Sequence, residues 1–380
     1  MPHPQPVTPG PEFSSDDLAR YSRQVVLPEL GLPGQARLGA AKVLVVGAGG
    51  LGSPALLYLA AAGVGTIGIL DSDDVELSNL HRQVVHSTDS VGRSKVDSAA
   101  ATIAAINPGV QVIRHLVRLD EQNADHIVPG YDVVLDGTDN FETRYVVNDA
   151  CARAGIPLVW GAVLGFAAQI AVFWAAAPGG VQLRDLFPHP PAPGTVPSCA
   201  EAGVVGAVCG QAGSIMAGEA IKLITGIGEP LLGRVLVIDA LRGRWDQIPL
   251  EPSQAASAEP ARPTASRTPS PAAAPQARTA EPQALADDGS FRLDVRTPEE
   301  FAQGHLDGSI NVPLPVLLAG GGPLPGAEQG VLVICRTGPR AEVAAAALRA
   351  RGYVDVRVLE GGLLGLSERG ASASDACSER

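Results

Sequence analysis

The chain is poor in lysine, in aromatic residues and in charge. Of 380 residues only Lys42, Lys95 and Lys222 are lysine, and the other 25 of its 28 basic residues are arginine. Charged residues make up 18% and aromatics 4%. Asp and Glu number 40, giving a net charge of −12. That balance argues against a protein built to coat nucleic acid or an anionic membrane, yet allows one local basic pocket. Five cysteines stand at 151, 199, 209, 335 and 377, with no C-x-x-C among them. Neither a disulfide framework nor a Cys-paired zinc site fits that spacing. The first residues, MPHPQPVTPGPEFSSDD, hold no apolar core, so they do not read as a signal peptide. Two long uncharged runs occur. Val43–Leu70 contains seven glycines and reads as strand, turn, helix, strand. Leu158–Ala177 has Gln169 as its one strongly polar residue and reads as buried parallel strands rather than a membrane helix. The setting expected is a reducing cytoplasm, with no membrane and no nucleic acid.

Residues 251–284 interrupt this pattern. Of these 34 residues, 22 are Ala, Pro or Ser and none is Val, Ile, Leu, Met or aromatic, so the segment cannot bury a core. It reads as a linker of about 30 Å root-mean-square span, stiffened by its prolines. It separates a front domain, 1–250, from a back domain, 285–370, with a flexible tail at 371–380. In the front domain apolar strands alternate with helical stretches: Lys42–Val46, Leu51–Ala62, Thr66–Leu70, Ser94–Ile106, Val110–Leu116, Asp132–Leu135, Glu142–Ala154. That order predicts an α/β, Rossmann-like doubly wound sheet. The back domain repeats the style on a small scale: strand Phe291–Val295, helix Pro298–Gln303, strand Val331–Ile334, helix Arg340–Arg351, strand Asp355–Val358.

Gly47-Ala48-Gly49-Gly50-Leu51-Gly52 follows a strand and opens a helix, fitting G-x-G-x-x-G at 47, 49 and 52. Glycine lets the backbone turn tightly and approach phosphate, while helix N–H groups face the anion. Asp71, at the end of the next strand, stands where a carboxylate takes ribose hydroxyls. A tight packing turn is the plainer reading. The fingerprint alone suits a nicotinamide-dependent oxidoreductase. The next segment, Ser78-Asn79-Leu80-His81-Arg82-Gln83 followed by Arg93 and Lys95, adds cations that a dehydrogenase does not need. They suit a triphosphate whose leaving pyrophosphate must be neutralised, or else form a solvated charged face. Asp136-Gly137-Thr138-Asp139-Asn140 lies at a strand end facing the switch crevice. Asp139 is a candidate for Mg²⁺, and capping of the following helix by Asp139 and Asn140 is the alternative.

GAGGLGS, Asp71, SNLHRQ, Lys95 and DGTDN, with RYSRQVVLPELGLPGQARL at 20–38, together resemble the ubiquitin-activating-enzyme-like adenylyltransferases of the MoeB and ThiF type over about residues 16–250. The resemblance implies that ATP adenylylates the C-terminal glycine of a small ubiquitin-like sulfur carrier ending in Gly-Gly. It implies that Gly47, Gly49, Gly50 and Gly52 line the phosphates and that Asp71 binds ribose. It further implies that Ser78, Asn79, Arg82, Gln83, Lys95 and Asn140 serve the nucleotide, and that Asp139 contacts Mg²⁺. Arg23 is implied to reach the partner subunit's ATP site, and hence a homodimer. Relatives often hold a structural zinc with two C-x-x-C pairs. Here Gln182-Leu183-Arg184-Asp185 stands in the first place and the linker's start in the second, so no zinc is expected.

Cys199, in Pro197-Ser198-Cys199-Ala200-Glu201, matches that family's crossover-loop cysteine, with an inert loop thiol as the alternative. Cys151 and Cys209 read as core and Cys377 as a tail residue. Cys335 ends the buried strand Val331–Ile334 and opens the loop Cys335-Arg336-Thr337-Gly338-Pro339-Arg340 before a helix. Loop N–H groups and a helix N-terminus stabilise a thiolate in such a place, and Arg336 and Arg340 add charge. A persulfide carrier, a structural cysteine and a phosphatase loop all remain readings, although C-x₄-R is one residue short of the last. With LDVRTPEEFAQGHLDGSINVPL at 293–314, the loop resembles the rhodanese sulfurtransferases over residues 285–368. Asp294 and Arg296 are then expected to brace the loop, and His305 to be structural. Ala341 replaces a loop position that is often Ser, and the usual Trp after Gly361-Gly362 is missing. The whole chain is similar to the fused adenylyltransferase–sulfurtransferases of the MoeZ type, with thiosulfate or a cysteine desulfurase as sulfur donor. The alternatives are an oxidoreductase fused to a rhodanese and a redox-sensing scaffold.

Overall fold

The computed structural model describes residues 7–10, 13–190, 203–253 and 290–366. The expected linker from residue 254, the tail, Cys199 and Cys377 lie outside the described residues. The chain divides into two compact units, Met1–Pro263 and Thr264–Arg380.

The first unit is built on an eight-stranded sheet. Its strands are β1 (Lys42–Val46), β2 (Thr66–Leu70), β3 (Gln111–His115), β4 (Val133–Asp136), β5 (Leu158–Leu164), β6 (Ala167–Phe173), β7 (Arg234–Asp239) and β8 (Arg244–Pro249). Their order is β3-β2-β1-β4-β5-β6-β7-β8. The first five run parallel and the last three antiparallel. Here the sequence reading of Leu158–Ala177 as parallel strands is corrected. Two residues, Gly165 and Phe166, join β5 to β6, and so short a connection reverses the chain direction. The run is apolar because β5 and β6 are largely buried within the sheet.

Alternation along each strand separates two cores. Val43, Val45, Ile67, Ile69, Val133 and Leu135 pack on one face, under helices Gly52–Ala62, Lys95–Ile106 and Gly206–Thr225. Leu44, Val46 and Val134 point the other way, toward helix Phe141–Ala154. Most predicted elements lie within a residue or two of their observed bounds. The helices end as their residues dictate. Ser94 caps Lys95–Ile106 by accepting from the Asp97 N–H, and Gly63 and Gly155 take the left-handed conformation at two C-termini. No helix among the described residues is long and apolar enough to cross a membrane.

The second unit carries a four-stranded parallel sheet in the order β10-β9-β11-β12. The strands are β9 (Phe291–Asp294), β10 (Ser309–Asn311), β11 (Val331–Ile334) and β12 (Val356–Val358). Its core holds Leu293, Val333, Cys335, Ala341 and Leu348. Strand β11 is central, so its carboxyl end delivers Cys335 directly to the loop before helix Pro339–Ala350.

Candidate active sites

The carboxyl ends of β1, β2 and β4 open into a cleft of about 370 Å³ in the first unit. This is the place where strand order reverses, and where ligands enter such sheets. Gly47, Gly49, Gly50, Asp71, Arg82, Gln83, Lys95, Asp139 and Asn140 all line it. Residues that are 92 positions apart in the chain, such as Gly47 and Asp139, thus share one wall.

The glycines divide by task. Gly47 turns the chain at φ +88°, and its N–H donates to Leu70 O at 2.7 Å. A Cβ on Gly49 would meet only the Gln83 side chain, at 3.8 Å, so the protein leaves that space for something else. A Cβ on Gly52 would lie 1.8 Å from Gly47 O. Gly52 therefore does not line the cleft as expected; it lets the helix start close against the loop. Gly50 abuts Cys209, whose Sγ would be 3.1 Å from an added Cβ. Cys209 is buried, as expected of a core residue, yet it also forms part of the cleft wall.

Asp71 anchors the loop. Its Oδ2 accepts from Ala48 N–H at 2.8 Å and its Oδ1 from Asp73 N–H at 2.9 Å. Each oxygen keeps a second lone pair, enough for a pair of vicinal hydroxyls. Lys95 is buried to 7% exposure, and its Nζ donates to Asp73 Oδ2 at 2.8 Å. Arg82 Nη1 donates to Ser78 O at 3.1 Å and to His81 Nε2 at 2.8 Å. Burial, with the Arg82 charge second, holds the His81 imidazole below its ordinary value, so it stays a neutral acceptor. Gln83 is 4% exposed, and its Oε1 has no partner among the described residues. That oxygen is an acceptor and gives nothing to a phosphate; it is the Nε2 donor that lies against the open glycine loop, 3.8 Å from the place of a Gly49 Cβ, and with Lys95 and Arg82 close by it fits a nucleotide phosphate.

Ser78, Asn79 and Arg23 are not brought to this wall. Ser78 Oγ donates to Glu76, and Asn79 Oδ1 accepts from Glu76 N–H at 3.2 Å. Their polar groups close the short turn Leu77–Asn79, which competes with any ligand for them. Arg23 sits in the last turn of helix Ser15–Val25.

In the DGTDN loop the two acids differ. Asp136 is fully buried and its Oδ1 accepts from Thr138 N–H and Oγ–H at 2.9 and 2.7 Å, shaping the loop. Burial pushes its carboxyl up, against the Arg144 charge. Asn140 caps helix Phe141–Ala154 by accepting from Thr143 N–H at 2.9 Å. Asp139 is exposed at the cleft and makes no hydrogen bond or ion pair among the described residues. A carboxylate left so, beside a phosphate site, suits Mg²⁺, which binds one or two carboxylates plus phosphate oxygens. No group of three or more His, Cys, Asp or Glu is arranged for a metal among the described residues. In the place of the first zinc pair, Gln182 N–H donates to Asp185 Oδ2 at 2.7 Å, and Ser253 N–H donates to Asp185 Oδ1 at 2.6 Å.

Three charged cleft residues escaped the sequence reading: Asp73, Arg118 and Arg144. Arg118 pairs with Glu142 at 2.7 Å. Arg144 donates to Thr138 O at 2.8 Å and stacks over Phe141 and Trp160. Asp73 stands two residues after Asp71, a spacing that offered a signal. Arg144 sits on a helix face like any charged residue, and nothing in its local sequence marks it.

In the second unit, Cys335 is buried and its Sγ accepts from Gly338 N–H at 3.1 Å. Leu363 N–H donates to Cys335 O and Leu364 N–H to Arg336 O, at 3.0 and 3.1 Å. Gly362, at φ +60°, allows this contact, since a Cβ there would lie 2.4 Å from the Arg336 carbonyl carbon. Asp294 and Arg296 form a buried pair with bonds of 2.7 to 3.0 Å, and Arg296 also donates to Gly304 O at 2.7 Å. Arg340 was expected to lend charge to the thiol, yet its guanidinium makes two bonds to Glu300, at 2.7 and 2.8 Å. The Thr297 N–H holds that carboxylate at 3.0 Å and so presents it to Arg340. His305 stacks on Phe301, with centroids 3.8 Å apart. Cys151 is core: burial, aided by the Asp136 charge, pushes its thiol far up.

The first unit thus carries a glycine-loop cleft with cationic walls and the second a thiol loop at a strand end. Residues 21–258 match the ThiF family and residues 279–369 a rhodanese-like domain. The chain is 47% identical over 375 residues to the "probable adenylyltransferase/sulfurtransferase MoeZ" of Mycobacterium tuberculosis, covering 95% of each. It is 39% identical to the "adenylyltransferase and sulfurtransferase MOCS3-2" of Zea mays, across 93% of this chain and 80% of that one. Among solved structures, Escherichia coli MccB with ATP aligns at TM-score 0.52 and 25% identity, over 62% of this chain and 72% of that one. The chain belongs to the ThiF family and joins that domain to a rhodanese-like one. It is an adenylyltransferase and sulfurtransferase, and ThiF-family adenylyltransferases use ATP. The oxidoreductase alternative finds no support among these relatives.

Proposed function

We propose that the first unit adenylylates the C-terminal glycine of a small ubiquitin-like sulfur carrier, and that the second converts the product to a thiocarboxylate. The observation that carries this reading is the cleft where Gly47, Gly49, Asp71, Arg82, Gln83 and Lys95 meet. Both reactants are anionic, so the protein's work is charge neutralisation and in-line placement. Asp71 holds the ribose. Lys95, Arg82 and the Gly49 N–H hold the phosphates, and the Gln83 Nε2–H donates to them. Asp139 holds Mg²⁺, which when bound neutralises phosphate charge.

The carrier carboxylate attacks the α-phosphorus and pyrophosphate leaves, giving an acyl-adenylate. A persulfide on Cys335, loaded from thiosulfate or a cysteine desulfurase, then attacks the acyl carbon through its outer sulfur and expels AMP. The resulting acyl disulfide is cleaved when a thiolate, from Cys199 or an external thiol, attacks Cys335 Sγ. Carrier thiocarboxylate leaves, and a second thiol reduces the remaining mixed disulfide. Gly338 N–H stabilises sulfur anion in this sequence, with Arg336 as the loop's cation. Arg340 acts through Glu300 to hold the helix that bears the loop. The enzyme works as a homodimer in the cytoplasm, Arg23 of each copy serving the other's ATP site. Domains at 1–250 and 285–370, joined by a linker at 251–284 and followed by a tail at 371–380, suit this division of labour.

The test is ATP–pyrophosphate exchange with purified chain, Mg²⁺ and a panel of carriers ending in Gly-Gly. Exchange that depends on a carrier is expected. Folded protein that exchanges with no carrier overturns the reading.

A further inference from the structure

His86 lies three residues beyond the SNLHRQ segment and is 7% exposed. Its two ring nitrogens face two different elements. Nε2 is 3.0 Å from Ala48 O, inside the glycine loop, and Nδ1 is 2.9 Å from Ser98 Oγ. A carbonyl only accepts, so Nε2 carries the proton and Nδ1 accepts from the Ser98 hydroxyl. Burial is the main force holding this imidazole below its ordinary value, which keeps the ring neutral and this tautomer in place.

The consequence lies at the next peptide group. A trans peptide sets the C=O of one residue antiparallel to the N–H of the next. With Ala48 O held inward by His86, the Gly49 N–H is turned toward the cleft that Gly49 lines. No hydrogen bond occupies that N–H among the described residues. The other side of Ala48 is fixed as well, its N–H donating to Asp71 Oδ2 at 2.8 Å. A flipped peptide would instead aim carbonyl lone pairs at the phosphates. Ser98 stands one turn beyond Lys95 on helix Lys95–Ile106, so His86 also ties the loop to the helix that supplies the lysine.

We propose that His86 is a positioning residue for nucleotide binding. It sets the Ala48–Gly49 peptide so that an N–H, not a carbonyl, meets the triphosphate, and it joins this loop to the Lys95 helix. The inference rests on the nucleotide reading of the cleft and assigns the phosphate loop's orientation chiefly to one side chain outside the cleft lining, since the Ser53 hydroxyl reaches the same carbonyl only at 3.5 Å.

Two substitutions separate positioning from mere filling. In His86→Gln the amide nitrogen reaches the place of Nε2 and donates to Ala48 O. In His86→Asn the side chain reaches only the place of Nδ1, toward Ser98. Equilibrium binding of ATP with Mg²⁺ is measured on the full-length chain, with thermal melting of each variant alongside. His86→Ala is expected to weaken ATP binding about tenfold, the worth of roughly one hydrogen bond. His86→Gln is expected within about threefold of wild type and His86→Asn as weak as the alanine variant. Equal affinity in Asn and Gln variants overturns the proposal, as does a folded alanine variant that binds like wild type. If the alanine variant fails to fold, the Asn and Gln comparison decides. Wild-type chain that binds no ATP removes the nucleotide reading itself, whereas binding that is unchanged by these substitutions removes only the role of His86.

Discussion

The Lys95 ammonium and the Asp73 carboxylate meet at 2.8 Å on the edge of the phosphate cleft, the lysine nearly buried and the aspartate largely exposed. Under the proposed nucleotide role of this cleft, a carboxylate thus holds the cation in the free enzyme at the place a phosphate is to take. Lys95→Ala removes the one lysine of the cleft and is expected to lower kcat/KM for pyrophosphate exchange about a hundredfold or more. Asp73→Asn keeps the cation but loosens its placement, with a smaller expected loss of about tenfold. Equal exchange by Lys95→Ala and wild type would refute a role for Lys95 on the phosphates.

The loop glycines give opposite expectations. Gly52→Ala forces a Cβ to within 1.8 Å of Gly47 O, so the loop or helix must shift. Overpacking of this kind costs about 1–3 kcal/mol or more, and a lower melting temperature is expected. Gly49→Ala meets only a flexible glutamine end at 3.8 Å. Its melting temperature should change little while its ATP affinity falls. Matched melting and matched affinity in both variants would mean that the loop is not shaped for a ligand.

Separation of the two chemistries is checked at Cys335. Cys335→Ala is expected to abolish thiocarboxylate formation while pyrophosphate exchange continues at the wild-type rate. Asp294→Ala should mimic it for another reason. It strips the partner from Arg296, whose side chain is 7% exposed, and losing one member of a buried pair costs roughly 3–5 kcal/mol. Circular dichroism should therefore show early melting for Asp294→Ala alone. Full thiocarboxylate yield from Cys335→Ala with thiosulfate would exclude the persulfide route.

Burial is the largest influence holding His81, His86 and His115 below their ordinary value of 6.5. Each imidazole binds a proton more readily unfolded than folded. Their contribution to stability is complete above about pH 6.5 and is lost as the pH falls from there through the depressed folded values. Urea midpoints at pH 7.5 and 5.5 should show this decline, and it should be shallower in His86→Gln. An equal decline in both proteins would show that His86 does not contribute to it.

Much of the protein could be read from its residues alone. Strands β1, β2 and β11 stand at their predicted bounds, because apolar runs bounded by glycine or charge leave few alternatives. The glycine loop, Asp71, Arg82, Gln83, Lys95 and Asp139 were all legible, since motif spacing reports local geometry directly. What sequence could not supply was partnership across distance. The commitment of Arg340 to Glu300 and of Lys95 to Asp73 depends on which helices and strands lie side by side. The antiparallel return of β6, the cleft wall at Cys209 and the inward hold of His86 on Ala48 depend on it too. Local sequence sets backbone periodicity and turn chemistry. The packing of two faces of one sheet decides which polar groups find each other, and so which of them remain for a ligand.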